Sequence, residues 1–113
     1  MNKSEFIKNN EREMIKMKDL RVQNVYNNGR EVSNQFEIFY EENNKHYKIF
    51  QSYESMIIKW ENSIIIEVGG DWDYSRTTGL YRNILTKTTK KEFEKMLRNN
   101  FIFKEETQTY IKK

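Results

Sequence analysis

Between Leu20 and Val68 the chain turns too often to do anything but zigzag. Leu20, Val22 and Tyr26 suggest a first strand, and Phe36, Ile38 and Tyr40 alternate with Glu37 and Glu41 in a second. Tyr47, Ile49 and Gln51 alternate with Lys48 and Phe50, and Met56, Ile58 and Trp60 with Lys59 and Glu61. Ile64 to Val68 is the most β-prone run in the chain. The links are short and polar. Asn27-Asn28-Gly29 supplies residues that tolerate positive φ, Glu42-Asn43-Asn44-Lys45 is a polar connection, and Glu61-Asn62-Ser63 is a tight turn. Links this short join antiparallel neighbours, because a parallel crossover needs about a dozen residues or more. The expectation over residues 20–68 is an antiparallel meander of about five strands, closed by Gly69-Gly70.

Helical patterns flank this sheet. Asn2 and Glu5 have the spacing of a capping box, and Phe6, Ile7, Met14, Ile15 and Met17 recur at helical spacing, so a helix is expected over 1–19. Thr78 to Leu85 forms a short helix with Ser75 or Thr77 as its cap. Thr89-Lys90-Lys91-Glu92 is a capping box that opens a second helix, with Phe93, Met96 and Leu97 as its apolar stripe. Asn99-Asn100 ends the helical part, 75–100, and Phe101-Ile102-Phe103 is open to a last strand. The polar tail, 105–113, is expected to fray, with Tyr110 and Ile111 able to dock. The expected architecture is one α+β domain over residues 1–113: a five-stranded meander, an N-terminal helix and two C-terminal helices.

A chain of 113 residues supports one core. Charged residues make up 33% of it, yet an aromatic share of 14% supplies large buried areas that disordered chains lack. With no cysteine, disulfides, thiol nucleophiles and thiolate metal sites are excluded. The longest apolar run, Ile64-Ile65-Ile66, falls far short of a bilayer span, and Met1 to Glu5 lacks the apolar stretch of a secretory signal. The expected compartment is the cytoplasm, with no membrane partner. Charge changes sign along the chain. Residues 1–30 carry seven basic and four acidic side chains, residues 31–73 three basic and nine acidic, and residues 74–113 ten basic and four acidic. Such poles either solvate the surface or steer charged partners.

Reactive groups are scarce. The single histidine, His46, stands at a strand start and has no cysteine to share a metal. Asp71 and Asp73 project to one side if their segment is extended, which is the spacing for a divalent ion or a small hydrolase, but such sites need more oxygen ligands. Phosphate-loop, nucleophile-elbow, zincin and EF-hand patterns are missing. The expectation is a non-enzymatic protein with no catalytic residue, no metal and no cofactor. Two binding surfaces remain. Lys87, Lys90, Lys91, Lys95 and Arg98, with Arg76 and Arg82 nearby and Trp72, Tyr74 and Tyr81 interleaved, form a basic and aromatic set of the kind that binds nucleic acid. The acidic strand residues Glu37, Glu41, Glu42, Glu54, Glu61 and Glu67 would, if they shared a face, occupy a basic groove in place of phosphates.

The least generic stretch is Gln51-Ser52-Tyr53 followed by Trp72-Asp73-Tyr74-Ser75-Arg76-Thr77-Thr78-Gly79-Leu80-Tyr81-Arg82-Asn83. It resembles a family of small phage and mobile-element proteins of Gram-positive bacteria that carry a QSY segment, a hydrophobic hairpin and a W-[DN]-Y-S-x-T-T-x-x-Y-R-N block before a Thr/Lys/Glu-rich helix. The resemblance covers roughly residues 46–103 and leaves 1–45 without a counterpart. It implies an accessory protein, and such proteins often inhibit host defence, CRISPR nucleases included. The family lends no activity of its own. The residues themselves suggest a corner: Trp72 and Tyr74 on one side of an extended stretch, Ser75, Thr77 and Thr78 capping a helix, Tyr81 and Arg82 returning to the capped end. Expected partner-binding residues are Trp72, Asp73, Tyr74, Arg76, Tyr81 and Arg82, with Glu37, Glu41 and Glu42 from the acidic strands. The expected partner is a host protein such as a CRISPR nuclease. The alternative is a small nucleic-acid-binding regulator using the basic C-terminal helix.

Overall fold

The computed structural model describes residues 17–113. Among the described residues seven strands form one antiparallel sheet: β1 (Met17–Asn27), β2 (Arg30–Glu42), β3 (Lys45–Ser52), β4 (Ser55–Glu61), β5 (Ile64–Gly69), β6 (Phe101–Lys104) and β7 (Thr109–Lys112). Helices α1 (Arg76–Thr86) and α2 (Lys90–Asn100) lie between β5 and β6 in the chain. The strand order is β1-β2-β3-β4-β5-β7-β6.

This corrects the expected five-stranded meander with three helices. The N-terminal helix expected over 1–19 lies outside the described residues except for Met17–Asp19, which open β1. That strand runs beside β2 from Met17↔Glu42 to Asn27↔Arg30, with irregularities between Lys18 and Arg21 and between Asn24 and Tyr26. Asp19 takes φ of 54° inside it. These bulges break the side-chain alternation, so Leu20, Val22 and Tyr26 stay exposed while Val25 is buried.

The C-terminal correction is larger. The tail expected to fray is β7, which slots between β5 and β6, pairing Val68↔Tyr110 on one side and Phe103↔Tyr110 on the other. Tyr110 packs on the core and stands 4.9 Å from Phe103, ring centre to ring centre. Polar composition pointed to a loose end, but two neighbouring backbones satisfy this segment's hydrogen bonds. Gly69 therefore does not close the sheet. It is the last residue of β5 and pairs with Thr109.

The helices cover one face. Phe50, Ile58 and Val68 are cross-strand neighbours. They form one buried cluster with Val25, Ile57 and Trp60, with Tyr81 from α1, with Phe93 and Leu97 from α2, and with Phe101. Ile57 and Ile58 are both buried because β4 slips register against Phe50/Gln51. Along α2 the capping box is complete: Thr89 Oγ1 accepts from the Glu92 amide at 3.2 Å and Glu92 Oε1 from the Thr89 amide at 3.0 Å. Phe93 and Leu97, one turn apart, then face the sheet. No described helix is long and apolar enough to cross a membrane.

Candidate partner-binding site

After Gly69 the backbone turns rather than extends. Trp72 N–H reaches the Gly69 carbonyl at 3.2 Å, and Tyr74 N–H the Asp71 carbonyl at 3.0 Å. Trp72 and Tyr74 consequently do not share a side. Trp72 is half-buried, its ring 5.5 Å from that of Phe93, while Tyr74 is 74% exposed.

Ser75 then starts α1. Its hydroxyl accepts from the Thr78 amide at 3.1 Å, which meets one of the free amide groups of the first turn. Thr78 Oγ1 lies 2.8 Å from Ser52 Oγ in a fully buried contact. This bond ties the Gln51-Ser52-Tyr53 segment to the Thr77-Thr78 pair. Arg82, one turn later, is 1% exposed. Its Nη1 donates to the Trp72 carbonyl at 2.7 Å and to Asp73 Oδ1 at 3.2 Å. Nε and Nη2 both donate to Asn83 Oδ1, at 3.2 and 3.0 Å. The guanidinium carbon is 5.1 Å from the Trp72 ring centre and 5.3 Å from that of Phe93. All three guanidinium nitrogens donate and the group packs on two rings, so Arg82 pins the corner to both helices.

Asp73 also accepts from Lys90 Nζ at 2.7 Å. The Lys90 bond first, and Arg82 after it, hold the Asp73 carboxyl below its usual range, with partial burial acting against them. A carboxyl more acidic in the folded state than in the unfolded one stabilises the fold above its unfolded pKa. That stabilisation is lost as pH falls through the folded pKa. Asp73→Asn should therefore lower the thermal midpoint at neutral pH and converge on the parent protein well below about pH 4, so that the acid limb of the curve is flatter. An acid limb identical to that of the parent protein would show that this pair does not set acid stability.

α1 carries apolar residues on its outer face as well as its inner one. It buries Thr78, Gly79, Tyr81 and Arg82. Leu80 is 49% exposed and Ile84 44%. Tyr53, at 46% exposure, and Tyr74 line one cleft of about 830 Å³ with Ser52, Ser75, Thr78 and Asp71. On the other side of Ser75, Tyr74, Arg76, Leu80, Asn83 and Lys90 line a shallower depression of about 530 Å³. Tyr74 is the ridge common to both.

The structure separates the expected site residues. Tyr74 and Arg76 are exposed on the corner. Tyr81 and Arg82 are buried, and Trp72 packs inward, so these three build the corner and offer little of their own to a partner. Sequence spacing could not tell an arginine that docks from one that pins. The acidic set does not form one face. Glu37 and Glu41 stand opposite Phe50 and His46 in the register, on the helix-covered side, and Glu42 opposite Lys45, on the other. Glu37 bonds Lys48 at 3.1 Å and Glu61 bonds Lys45 at 3.3 Å. Among the basic set, Lys90 is engaged by Asp73. Lys91, Lys95 and Arg98 recur on the side of α2 away from Phe93 and Leu97, and Lys87 caps the end of α1 at φ of 57°. Asp71 accepts from Ser55 at 2.8 Å, and His46 lines a separate pocket with Trp60 and Lys48. Among the described residues no three His, Asp or Glu side chains gather as a metal cluster.

Sequence reasoning missed Tyr53, Leu80 and Ile84 as surface groups. A signal was present: Leu80 and Ile84 are one turn apart on a helix whose other positions include Thr78 and Arg82, both bound to neighbouring segments. Gln35 was missed as well. It is fully buried beside Ser52, and neither amide atom has a partner among the described residues.

Comparison with family models, curated proteins and solved structures gives no match to this chain.

Proposed function

We propose that this chain is a non-enzymatic binding protein that acts by stoichiometric contact with another protein through the corner formed by Tyr53, Tyr74 and α1. The observation that carries the reading is the outer face of α1: a leucine and an isoleucine are exposed there, next to a 74% exposed tyrosine, while Thr78, Tyr81 and Arg82 of the same helix are buried. Isolated exposed apolar residues need no explanation, but a contiguous set on a rigid base marks a contact surface. Rigidity lowers the entropy lost on association, and tyrosine is a preferred anchor at interfaces. In line with the Gln51–Asn83 resemblance, the biological role is that of a phage or mobile-element accessory protein in the bacterial cytoplasm. It would occlude a host defence protein such as a CRISPR nuclease.

A photo-crosslinking residue placed at Tyr74 tests the contact. The expected result is a one-to-one adduct with a single host polypeptide, lost in a Leu80→Asp background whose thermal midpoint is unchanged. An adduct to nucleic acid, or none, would overturn the reading.

A second reading rests on a separate observation, the alignment of Lys91, Lys95 and Arg98 on the outer side of α2. In that reading α2 follows a nucleic-acid backbone, and a gel shift with steep salt dependence would be lost on reversing those three charges.

A further inference from the structure

We infer that the segment docking on α1 is an acidic, amphipathic stretch of polypeptide. The inference rests on the contact surface proposed above and names what that surface selects. Arg76, Leu80 and Ile84 follow one another at intervals of one helical turn, and exposed Lys87 follows the last turn as its cap. The exposed stripe of α1 is thus an apolar centre with a cation at each end. The helix itself, RTTGLYRNILT, holds no acidic residue. Charge around the centre is one-sided too. Arg76 is an exposed cation of the depression beside Leu80, and the one carboxylate lining it, Asp73, is already held by buried Arg82 and by Lys90. A partner segment with its own apolar residues at three- and four-residue spacing would seat them on Leu80, Ile84 and Tyr74. Carboxylates flanking that seam would meet Arg76 and Lys87, while lysines there would meet like charge. Rim charges of this kind set orientation and exclude wrong partners, and the apolar centre holds the complex. From Arg76 to Lys87 the stripe is about 16 Å long at 1.5 Å per residue, the reach of three turns of a bound helix.

The experiment uses two fluorescein-labelled peptides of about 15 residues, long enough for partial helicity. They share one leucine seam and differ only in flanking glutamates or lysines. With the full chain at low salt, anisotropy should show the glutamate peptide binding at least about tenfold tighter than the lysine peptide. Arg76→Glu with Lys87→Glu should invert that order, and Leu80→Asp should remove binding of both, with unchanged far-UV circular dichroism in each variant. Equal binding of the two peptides, no binding of either, an order that survives the charge reversal, or displacement of the glutamate peptide by a single-stranded oligonucleotide would each overturn the inference. If neither peptide binds while crosslinking at Tyr74 still captures a polypeptide, the inference fails and the contact surface stands. If crosslinking fails too, both fall.

Discussion

Arg82→Ala should destabilise the protein by about 3–5 kcal/mol, the range for truncating a large buried side chain that also makes charged hydrogen bonds. The side chain is 1% exposed and packs against both the Trp72 and Phe93 rings. Its loss opens a cavity there, frees the Trp72 carbonyl and leaves Asp73 with Lys90 alone. The loop and both helices share this one residue, so the loss should appear as reduced global stability in urea melts and not only as local fraying. Arg82→Lys should recover less than half of it. An ammonium cannot supply the flat surface that packs on two rings and the fork that reaches the Trp72 carbonyl, Asp73 and Asn83 together. A loss below about 1 kcal/mol for the alanine variant would mean that the corner holds without its pin.

Gly69→Ala should cost about 4 kcal/mol or more, in the exceptional range for a single methyl. A Cβ at Gly69 would run into the carbonyl of Met56 on β4, and backbone on a central strand cannot step aside as a side chain can. The obstacle is steric, since Gly69 is not among the residues at positive φ. The variant should therefore fail to accumulate as folded protein, or melt far below the parent. The contrast is Gly29, which has φ of 76° but open space where a Cβ would lie. Gly29→Asn, a residue that tolerates this conformation, should change the melting point little. Equal melting points for Gly69→Ala and the parent protein would show that β4 and β5 can move apart at no cost.

What could be read from the sequence tracks the range of the interaction. Local chemistry was legible: the Thr89/Glu92 capping box and a helix cap at Ser75 or Thr77, of which Ser75 is the one used, depend on residues three apart, and the polar turns of the meander on two to four consecutive ones. Long-range backbone pairing was not. Thr109–Lys112 carries no strong apolar alternation, and its place between β5 and β6 depends on two partners, one of them more than forty residues away. β1 was misread on its faces because its bulges shift the alternation, and no side chain announces a bulge. At the site, the Trp72–Asn83 block was legible as a corner with a capped helix, and Tyr74 and Arg76 as surface groups. Which of its cations and aromatics would turn inward was not. Ser52 meeting Thr78, and Arg82 reaching back ten residues to Trp72, require the fold itself.

The placement of β7 has a consequence for how the protein reaches this state. β6 joins the sheet only through β7, and β7 is made after every strand and helix it unites. During synthesis, therefore, the open flank of β5 and the whole of β6 wait with unmet backbone groups until residues 109–112 have left the ribosome. A nascent chain stalled between β6 and β7 is the form most exposed to pairing with a neighbour's edge, and chaperone capture should concentrate on that interval.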